Sequence, residues 1–88
     1  MKSWLIYIVR ARSGALYTGI STDPLRRFTE HRSGRAGARF FRMDPPESIV
    51  YLEAAPDHGH ALRREHEIKR MSRRERLALV QSLQAGAS

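Results

Sequence analysis

The chain has 88 residues, of which 41% are apolar, and it contains no cysteine. A chain of this length supports one domain with a single modest core. The lack of cysteine excludes disulfide bonds and cysteine-based zinc sites, and it favours the reducing cytoplasm. The apolar run from Trp4 to Val9 is too short to cross a bilayer, so we expect neither a membrane protein nor a secretory signal peptide.

The formal net charge is +7, with an isoelectric point near 11.0. A charge this large on so small a body should attract a polyanion. Nucleic acid is therefore the first partner to consider, and an anionic membrane surface is the second. The alternative is that the charge serves only solubility.

Two strands are predicted near the N-terminus. Trp4 to Val9 is β-branched, aromatic and apolar at successive positions, which is typical of a central strand covered on both faces. Arg12–Gly14 is a turn signal, and Leu16–Ile20 is a second strand, so the pair forms an antiparallel hairpin. Gly19 within a strand indicates either a bulge or a close approach of another group to the backbone.

A helix is predicted to follow the hairpin. Asp23 can accept hydrogen bonds from free amides as the N-cap, and Pro24 has the fixed φ that suits the first helical position. The helix runs to about Ser33. Its Leu25 and Phe28 form a short apolar stripe.

The second half of the chain begins with a long basic loop, Gly34–Glu47. A third strand follows at Ile49–Leu52, and a second helix at His60–Met71, for which Asp57 is a candidate N-cap. The residues Ser72–Glu75 fit a capping box that opens a last helix. Its apolar face is formed by Leu77, Val80 and Leu83.

These elements have the order β-β-α-β-α-α, which predicts an α/β (α+β) fold with a three-stranded antiparallel sheet flanked by helices. We expect a single domain over residues 1–84 and a frayed tail over residues 85–88.

Glu65 is hard to explain as a surface residue. It lies at helical spacing from apolar residues of the second helix, namely Ala61, Leu62 and Ile68. A carboxylate on an inward stripe must be paired, protonated or bound to a cation, and a buried pair with an arginine is the structural alternative. Glu67 differs, because its neighbours at helical spacing are arginines, so we expect it on a solvated, salt-bridged face.

Two further pairs are candidates for chemistry. Arg27 and His31 are four positions apart on the first helix and share a face, although such residues often simply line the solvent. Arg27 could hold a phosphate with two donors, and His31 could move a proton near neutral pH. Tyr7 and Tyr17 lie on paired strands, where they are either functional hydroxyls or two core aromatics.

Together these residues resemble the GIY-YIG nuclease superfamily. Leu5-Ile6-Tyr7 stands where the first motif word would be, and Tyr17-Thr18-Gly19 stands where the second would be. Arg27 and His31 follow at the family's spacing, and Glu65 lies on a later helix. The resemblance extends from Trp4 to about Leu79.

The details resemble the small single-domain bacterial branch of that superfamily, because Ala61–Glu65 is followed by Ile68-Lys69. The sequence departs from the family pattern at three positions. They are Leu5 in place of glycine, Thr18 in place of isoleucine or valine, and Phe41 where related small proteins often have threonine.

The resemblance implies a role for each matching residue. Glu65 would be the sole protein ligand of one Mg²⁺ ion, for which Mn²⁺ could substitute. Arg27 would stabilise charge in the transition state, Tyr7 or Tyr17 would activate or orient the attacking water, and His31 would assist proton movement. The implied reaction is a phosphodiester cut that leaves 5′-phosphate and 3′-hydroxyl ends.

DNA is the expected partner, with RNA as an alternative, and we expect a monomer that nicks one strand, with a dimer for double-strand cutting. The candidate nucleic-acid contacts are Arg26, Arg35, Arg39, Arg42 and Lys69. Two other functions compete, a non-catalytic nucleic-acid-binding module of this fold and a basic protein that docks on an acidic partner. A carboxylate facing phosphates would repel them, which favours the nuclease over a pure binder.

Overall fold

The computed structural model describes residues 3–33 and 44–86, which form a three-stranded antiparallel sheet with three helices packed on it. The predicted fold and the order β-β-α-β-α-α are confirmed. The elements are β1 (Trp4–Ala11), β2 (Leu16–Ser21), α1 (Pro24–Ser33), β3 (Pro46–Ala55), α2 (His58–Arg70) and α3 (Arg73–Gly86). No helix in these two described ranges has the length and hydropathy needed to cross a membrane.

β1 is the central strand, in the sheet order β2-β1-β3. The residues from Ile6 to Val9 are all buried, which confirms the prediction that both faces of this strand are covered. β1 and β2 form the predicted hairpin, which turns through Gly14 at a φ of 96°. A side chain is strained at this left-handed backbone angle, so the turn favours glycine.

Each face of β1 packs against different helices, because successive side chains of a strand point to opposite faces. Ile6 and Ile8 belong to the larger core cluster, to which α2 contributes Ala61 and Ile68 and α3 contributes Val80. On the other face, a smaller cluster forms around Tyr7 and Val9, against which Tyr17, Phe28 and Ile49 pack. The face of the sheet that carries Tyr7 and Tyr17 therefore lies under α1, and the face that carries Ile6, Ile8 and Tyr51 lies under α2 and α3.

The helix starts are confirmed at the predicted caps. Asp23 Oδ1 accepts from the amide of Arg26 (3.2 Å), and Asp57 Oδ1 accepts from the amide of His60 (2.8 Å). Ser72 and Glu75 form the predicted capping box, in which each side chain accepts from the other residue's amide (3.1 and 3.0 Å). Two residues of α2 precede its predicted start at His60.

β3 differs most from its prediction, because it extends over Pro46–Ala55 and begins inside the predicted loop. Its pairing with β1 extends from Trp4 opposite Ala55 to Ala11 opposite Pro46, with register shifts near Val9 and Ala11. The extra length of β3 depends on its pairing with β1, so the sequence of β3 alone does not reveal it. Leu25 of the predicted α1 stripe is also 71% exposed, which leaves Phe28 as the residue that packs on the sheet.

Polar contacts fix α2 and α3 to the sheet. Arg64 Nε donates to both carboxylate oxygens of Glu53 (2.9 and 3.1 Å), which ties α2 to β3. At the start of α3, Arg73 donates to the Gly14 carbonyl (3.0 Å). The helix that carries Glu65 is therefore held in a fixed position on the sheet.

Candidate functional site

Tyr7 lies against the backbone of Gly19, which is its direct partner in the β1–β2 register. A Cβ atom built on Gly19 would lie 2.6 Å from the Tyr7 hydroxyl oxygen and 2.7 Å from its Cζ. The register runs without a shift from Leu5 to Arg10. Of the two predictions for Gly19, the close approach is therefore correct and the bulge is wrong.

The two tyrosines project from the same face of the sheet. Tyr17 is paired with Val9, two positions from Tyr7, and both tyrosines belong to the cluster that α1 covers. Tyr7 is almost fully buried, whereas Tyr17 is partly exposed. Tyr17 is thus the more accessible of the two hydroxyl-bearing side chains.

α1 brings Arg27 and His31 to these tyrosines. The Arg27 guanidinium hydrogen-bonds to the Tyr7 side chain while 43% of the arginine side chain remains exposed. His31 is only 3% exposed, and its ring meets Tyr17 edge-on, with the ring centroids 6.0 Å apart. The alternative in which both residues line the solvent is therefore wrong for His31.

The pKa of Tyr7 is raised above its ordinary value of 10.0. Burial is the main cause, and the Tyr17 and Glu65 side chains add to it, while the hydrogen bond and charge of Arg27 oppose it. The Tyr7 hydroxyl therefore keeps its proton at neutral pH. The negative charge of Glu65 is the smallest of these contributions to the pKa of Tyr7.

Glu65 is mostly buried, with 13% of its side chain exposed, and its Oε2 lies 3.3 Å from Nζ of Lys69. Of the three predicted states for this carboxylate, the structure has the paired one, with a lysine in place of the arginine considered above. Glu67 is 63% exposed and accepts from Arg64 (3.0 Å), which confirms its prediction as a salt-bridged surface residue.

The surroundings of Glu65 fit a single-carboxylate site for a divalent ion. Its only ion-pair partner within the described ranges is Lys69, which is half exposed and can therefore turn to solvent when another cation binds. A carboxylate oxygen is a hard ligand of the kind that Mg²⁺ prefers. Across residues 3–33 and 44–86, no three His, Cys, Asp or Glu side chains are grouped as a multi-ligand metal cage.

The candidate nucleic-acid contacts are only partly described. Arg26 is 73% exposed, and its Nε lies 3.8 Å from Oε1 of Glu30. Lys69 is the partner of Glu65. The remaining candidates, Arg35, Arg39 and Arg42, lie outside the described residues.

Two arginines that the sequence did not single out line a cleft of about 330 Å³ at one end of the sheet. They are Arg12, which follows β1, and Arg32, in the last turn of α1. They are 20 positions apart, and no local motif links them. Only the packing of α1 against the sheet brings them together.

Burial of His31 predicts a pH dependence of stability. Its pKa lies below the ordinary 6.5, mainly because burial disfavours the charged ring; Arg27 adds to this, and Glu30 opposes it. Tyr17 of β2 also faces the ring. The folded state therefore binds the proton less readily than the unfolded state, so stability is lost as the pH falls through about 6.5.

We expect the melting temperature of a His31→Gln variant to fall less than that of wild type when the pH is lowered from about 7 to about 5. Thermal unfolding followed by circular dichroism at several pH values measures this difference. His66→Gln is the matched control, because His66 is exposed and should leave the pH dependence unchanged. Equal pH dependence in wild type and His31→Gln would contradict the prediction.

Comparison with known proteins supplies the family. The model of the GIY-YIG catalytic domain matches residues 3–78. The chain belongs to the GIY-YIG family. Members of this nuclease superfamily act on nucleic acids, and their nuclease domains generally use divalent metals.

Several relatives of this GIY-YIG chain carry the name UPF0213 protein. One from Pseudomonas aeruginosa is 54% identical over 79 residues, which span 90% of this chain and 75% of the relative. Another, from Desulfotalea psychrophila, is 42% identical and spans 98% of this chain and 78% of the relative. The solution NMR structure of a UPF0213 protein from Bacillus halodurans is similar, with a TM-score of 0.58 and 38% identity, covering 90% of this chain and 83% of that one.

Proposed function

We propose that this GIY-YIG protein is a Mg²⁺-dependent endonuclease that nicks DNA in the cytoplasm. The observation that carries the proposal is that α1 places Arg27 and His31 against Tyr7 and Tyr17, while Glu65, a mostly buried carboxylate of α2, adds to the raised pKa of Tyr7. The proposed site would thus combine a cation for phosphate from α1, a carboxylate for a metal from α2 and two hydroxyls from the sheet. One such centre per chain cuts one strand, so a monomer would produce a nick.

Arg27 and Glu65 would have separate roles in the reaction: Arg27 would bind the negatively charged phosphate, and Glu65 would bind the divalent cation. Arg27 keeps part of its guanidinium exposed, so it can bind a phosphate oxygen and stabilise the negative charge that develops in the transition state. Glu65 would hold the divalent ion, with waters and a phosphate oxygen as its other ligands. When bound, this ion would polarise the phosphate and stabilise the leaving 3′ oxygen.

The raised pKa of Tyr7 supports a division of roles between the tyrosines. A protonated Tyr7 hydroxyl can donate a hydrogen bond and orient a group, but it is a poor base at neutral pH. The more accessible Tyr17 has the His31 ring at its edge, and the lowered pKa of His31 keeps that ring neutral. We therefore assign acceptance of the water proton to the Tyr17–His31 pair, which would leave a 5′-phosphate and a 3′-hydroxyl.

The second candidate is a non-catalytic nucleic-acid-binding module of the same fold. The large net charge of +7 would serve such a module equally well. Glu65 favours the nuclease, because a binder of phosphates has no use for a carboxylate beside them.

The proposal is tested by incubating the purified protein with supercoiled plasmid and with branched DNA, in Mg²⁺, in Mn²⁺ and in EDTA. The expected result is a nicked product in either metal and none in EDTA. A Glu65→Gln preparation controls for contaminating nucleases. If it nicks as fast as wild type, the proposed site is wrong; if neither protein nicks and both bind DNA, the binding module replaces the nuclease.

Lys69 should compete with the divalent ion for Glu65. Loss of a half-exposed ion pair is worth about 0.5–1 kcal/mol, so Lys69→Gln should tighten Mn²⁺ binding by roughly two- to fivefold. Titration with Mn²⁺, followed by paramagnetic broadening of amide signals in α2, measures the affinity. Arg70→Gln removes the same charge from the next residue, which is exposed and does not contact Glu65. Equal affinities of these two variants would show that only overall charge matters.

A further inference from the structure

The cleft beside Arg12 and Arg32 is a feature that the proposed reaction does not use. It lies where β1 ends and β3 begins, and it measures about 330 Å³. Its lining contains two arginines and one acidic residue, with proline on the remaining wall; the full set is Arg12, Arg32, Pro45, Pro46 and Glu47.

The charge in this cleft is available to a ligand. Glu47 is paired with Arg10 at 3.0 Å, so its carboxylate is already neutralised. Within the described ranges, neither Arg12 nor Arg32 has an ion-pair partner, and both side chains are exposed. Two guanidinium groups therefore face the cleft without a protein anion to balance them.

The wall that carries Arg12 is held rigidly. The Arg12 amide donates to the Pro45 carbonyl (2.9 Å), and the Ser13 amide donates to Asp44 Oδ1 (3.1 Å). The Ser13 hydroxyl also donates to the Asp44 carboxylate. Arginine presents its donors as a planar fork that matches phosphate oxygens, and a fixed backbone lowers the entropy lost on binding.

The position of the cleft relates it to the candidate site. Arg32 directly follows His31 on α1, so one helical turn borders both the cleft and the Tyr17 side of the site. Arg27 is more than one turn away on the same helix. Arg32 lies about 7.5 Å further along the helix axis than Arg27 and about 140° around it, so the two arginines would contact different phosphates.

We propose that Arg12 and Arg32 bind a backbone phosphate of the nucleic acid, separate from the phosphate held at Arg27. This inference rests on the proposed function only in taking nucleic acid as the ligand. The contact positions the strand and carries no sequence information, because phosphates are the same at every base.

The salt dependence of DNA binding tests the inference. The probe is a fluorescein-labelled duplex DNA of about 30 base pairs in EDTA, so that no cleavage occurs, and anisotropy gives the dissociation constant at several salt concentrations. Each phosphate contact contributes about 0.9 to the slope of log K against log salt. The Arg12→Gln/Arg32→Gln variant should therefore have a slope smaller by about 1 than wild type.

The matched control is Arg70→Gln/Arg74→Gln, which removes the same charge from exposed positions on α2 and α3. Those helices pack on the other face of the sheet from α1. A control slope close to that of wild type supports the inference, whereas equal losses in both variants would overturn it. Arg32→Gln alone serves as a second variant, since Arg32 makes no ion pair in the described ranges and its removal should leave the fold intact.

The two proposals fail in different ways. If wild type does not nick DNA, but the salt slope of Arg12→Gln/Arg32→Gln is smaller than that of wild type, the nuclease is rejected and the phosphate cleft is retained. A wild-type protein that nicks, with the same slope in all variants, would retain the nuclease and reject the cleft. Absence of duplex binding by wild type would overturn the inference.

Discussion

Replacement of Glu65 by glutamine is expected to lower the rate of Mg²⁺-dependent nicking by about 1,000-fold, which corresponds to roughly 4 kcal/mol of transition-state stabilisation. Glutamine has nearly the same size as glutamate, so the packing of α2 is retained. It lacks the negative charge that holds a divalent ion, and no other carboxylate cluster in the described ranges replaces it. Initial rates of conversion of supercoiled to nicked plasmid measure the effect.

Glu67→Gln is the matched control for this experiment. Glu67 lies two positions further along the same helix, is mostly exposed and is paired with Arg64. Its replacement should change the nicking rate less than about twofold, because an exposed pair contributes little. A similar loss of activity in both variants would show that α2 had been disturbed, and the metal role of Glu65 would lose its support.

The substitution Gly19→Ala should destabilise the fold by about 1–3 kcal/mol, the range typical of overpacking in a core. The added methyl group would lie within 2.7 Å of both the hydroxyl oxygen and the Cζ of Tyr7. Tyr7 cannot easily move away, because it is buried against Val9 and its neighbours under α1. Urea-induced unfolding gives the change in free energy, and the nicking assay gives the accompanying loss of activity.

Gly59→Ala is the control for this substitution. A Cβ on Gly59 would meet Asp57 Oδ1 at 3.4 Å, an ordinary contact, and its position in the first turn of α2 suits alanine. The double variant Gly19→Ala/Tyr7→Phe should remain unstable, because the ring carbons stay too close to the new methyl group. Restored stability in that double variant would show that the ring can shift and that only the hydroxyl had clashed.

Local chemistry explains which parts of the fold were predictable. Asp23 and Asp57 cap the helices that follow them through contacts within a few residues, so the sequence alone identifies them. The central strand is also readable, because a continuous apolar run indicates burial on both faces. The pairing of Glu65 with Lys69 spans only four positions on one helix, but the sequence analysis considered an arginine as the partner and did not predict this lysine.

The unpredicted features depend on contacts between distant segments. β3 gains its extra residues from pairing along the whole of β1, and Pro46 weakens the strand signal at its start. His31 is buried because α1 packs over Tyr17 of β2. The sequence of α1 alone does not reveal this contact. The raised pKa of Tyr7 likewise arises from burial in the assembled site.

The packing of α1 on one face of β1, and of α2 and α3 on the other, has an evolutionary consequence. The larger cluster around Ile6 and Ile8 holds α2 and α3, and so provides most of the apolar burial, whereas Phe28 is the core contact of α1. Substitutions of exposed α1 residues, such as Arg26 and Arg32, can therefore accumulate with little loss of folding free energy, whereas the buried Tyr7 and Val9 beneath this helix are constrained. A scaffold with this separation can acquire new substrate preferences, because the residues that bind the substrate are largely not those that keep the chain folded.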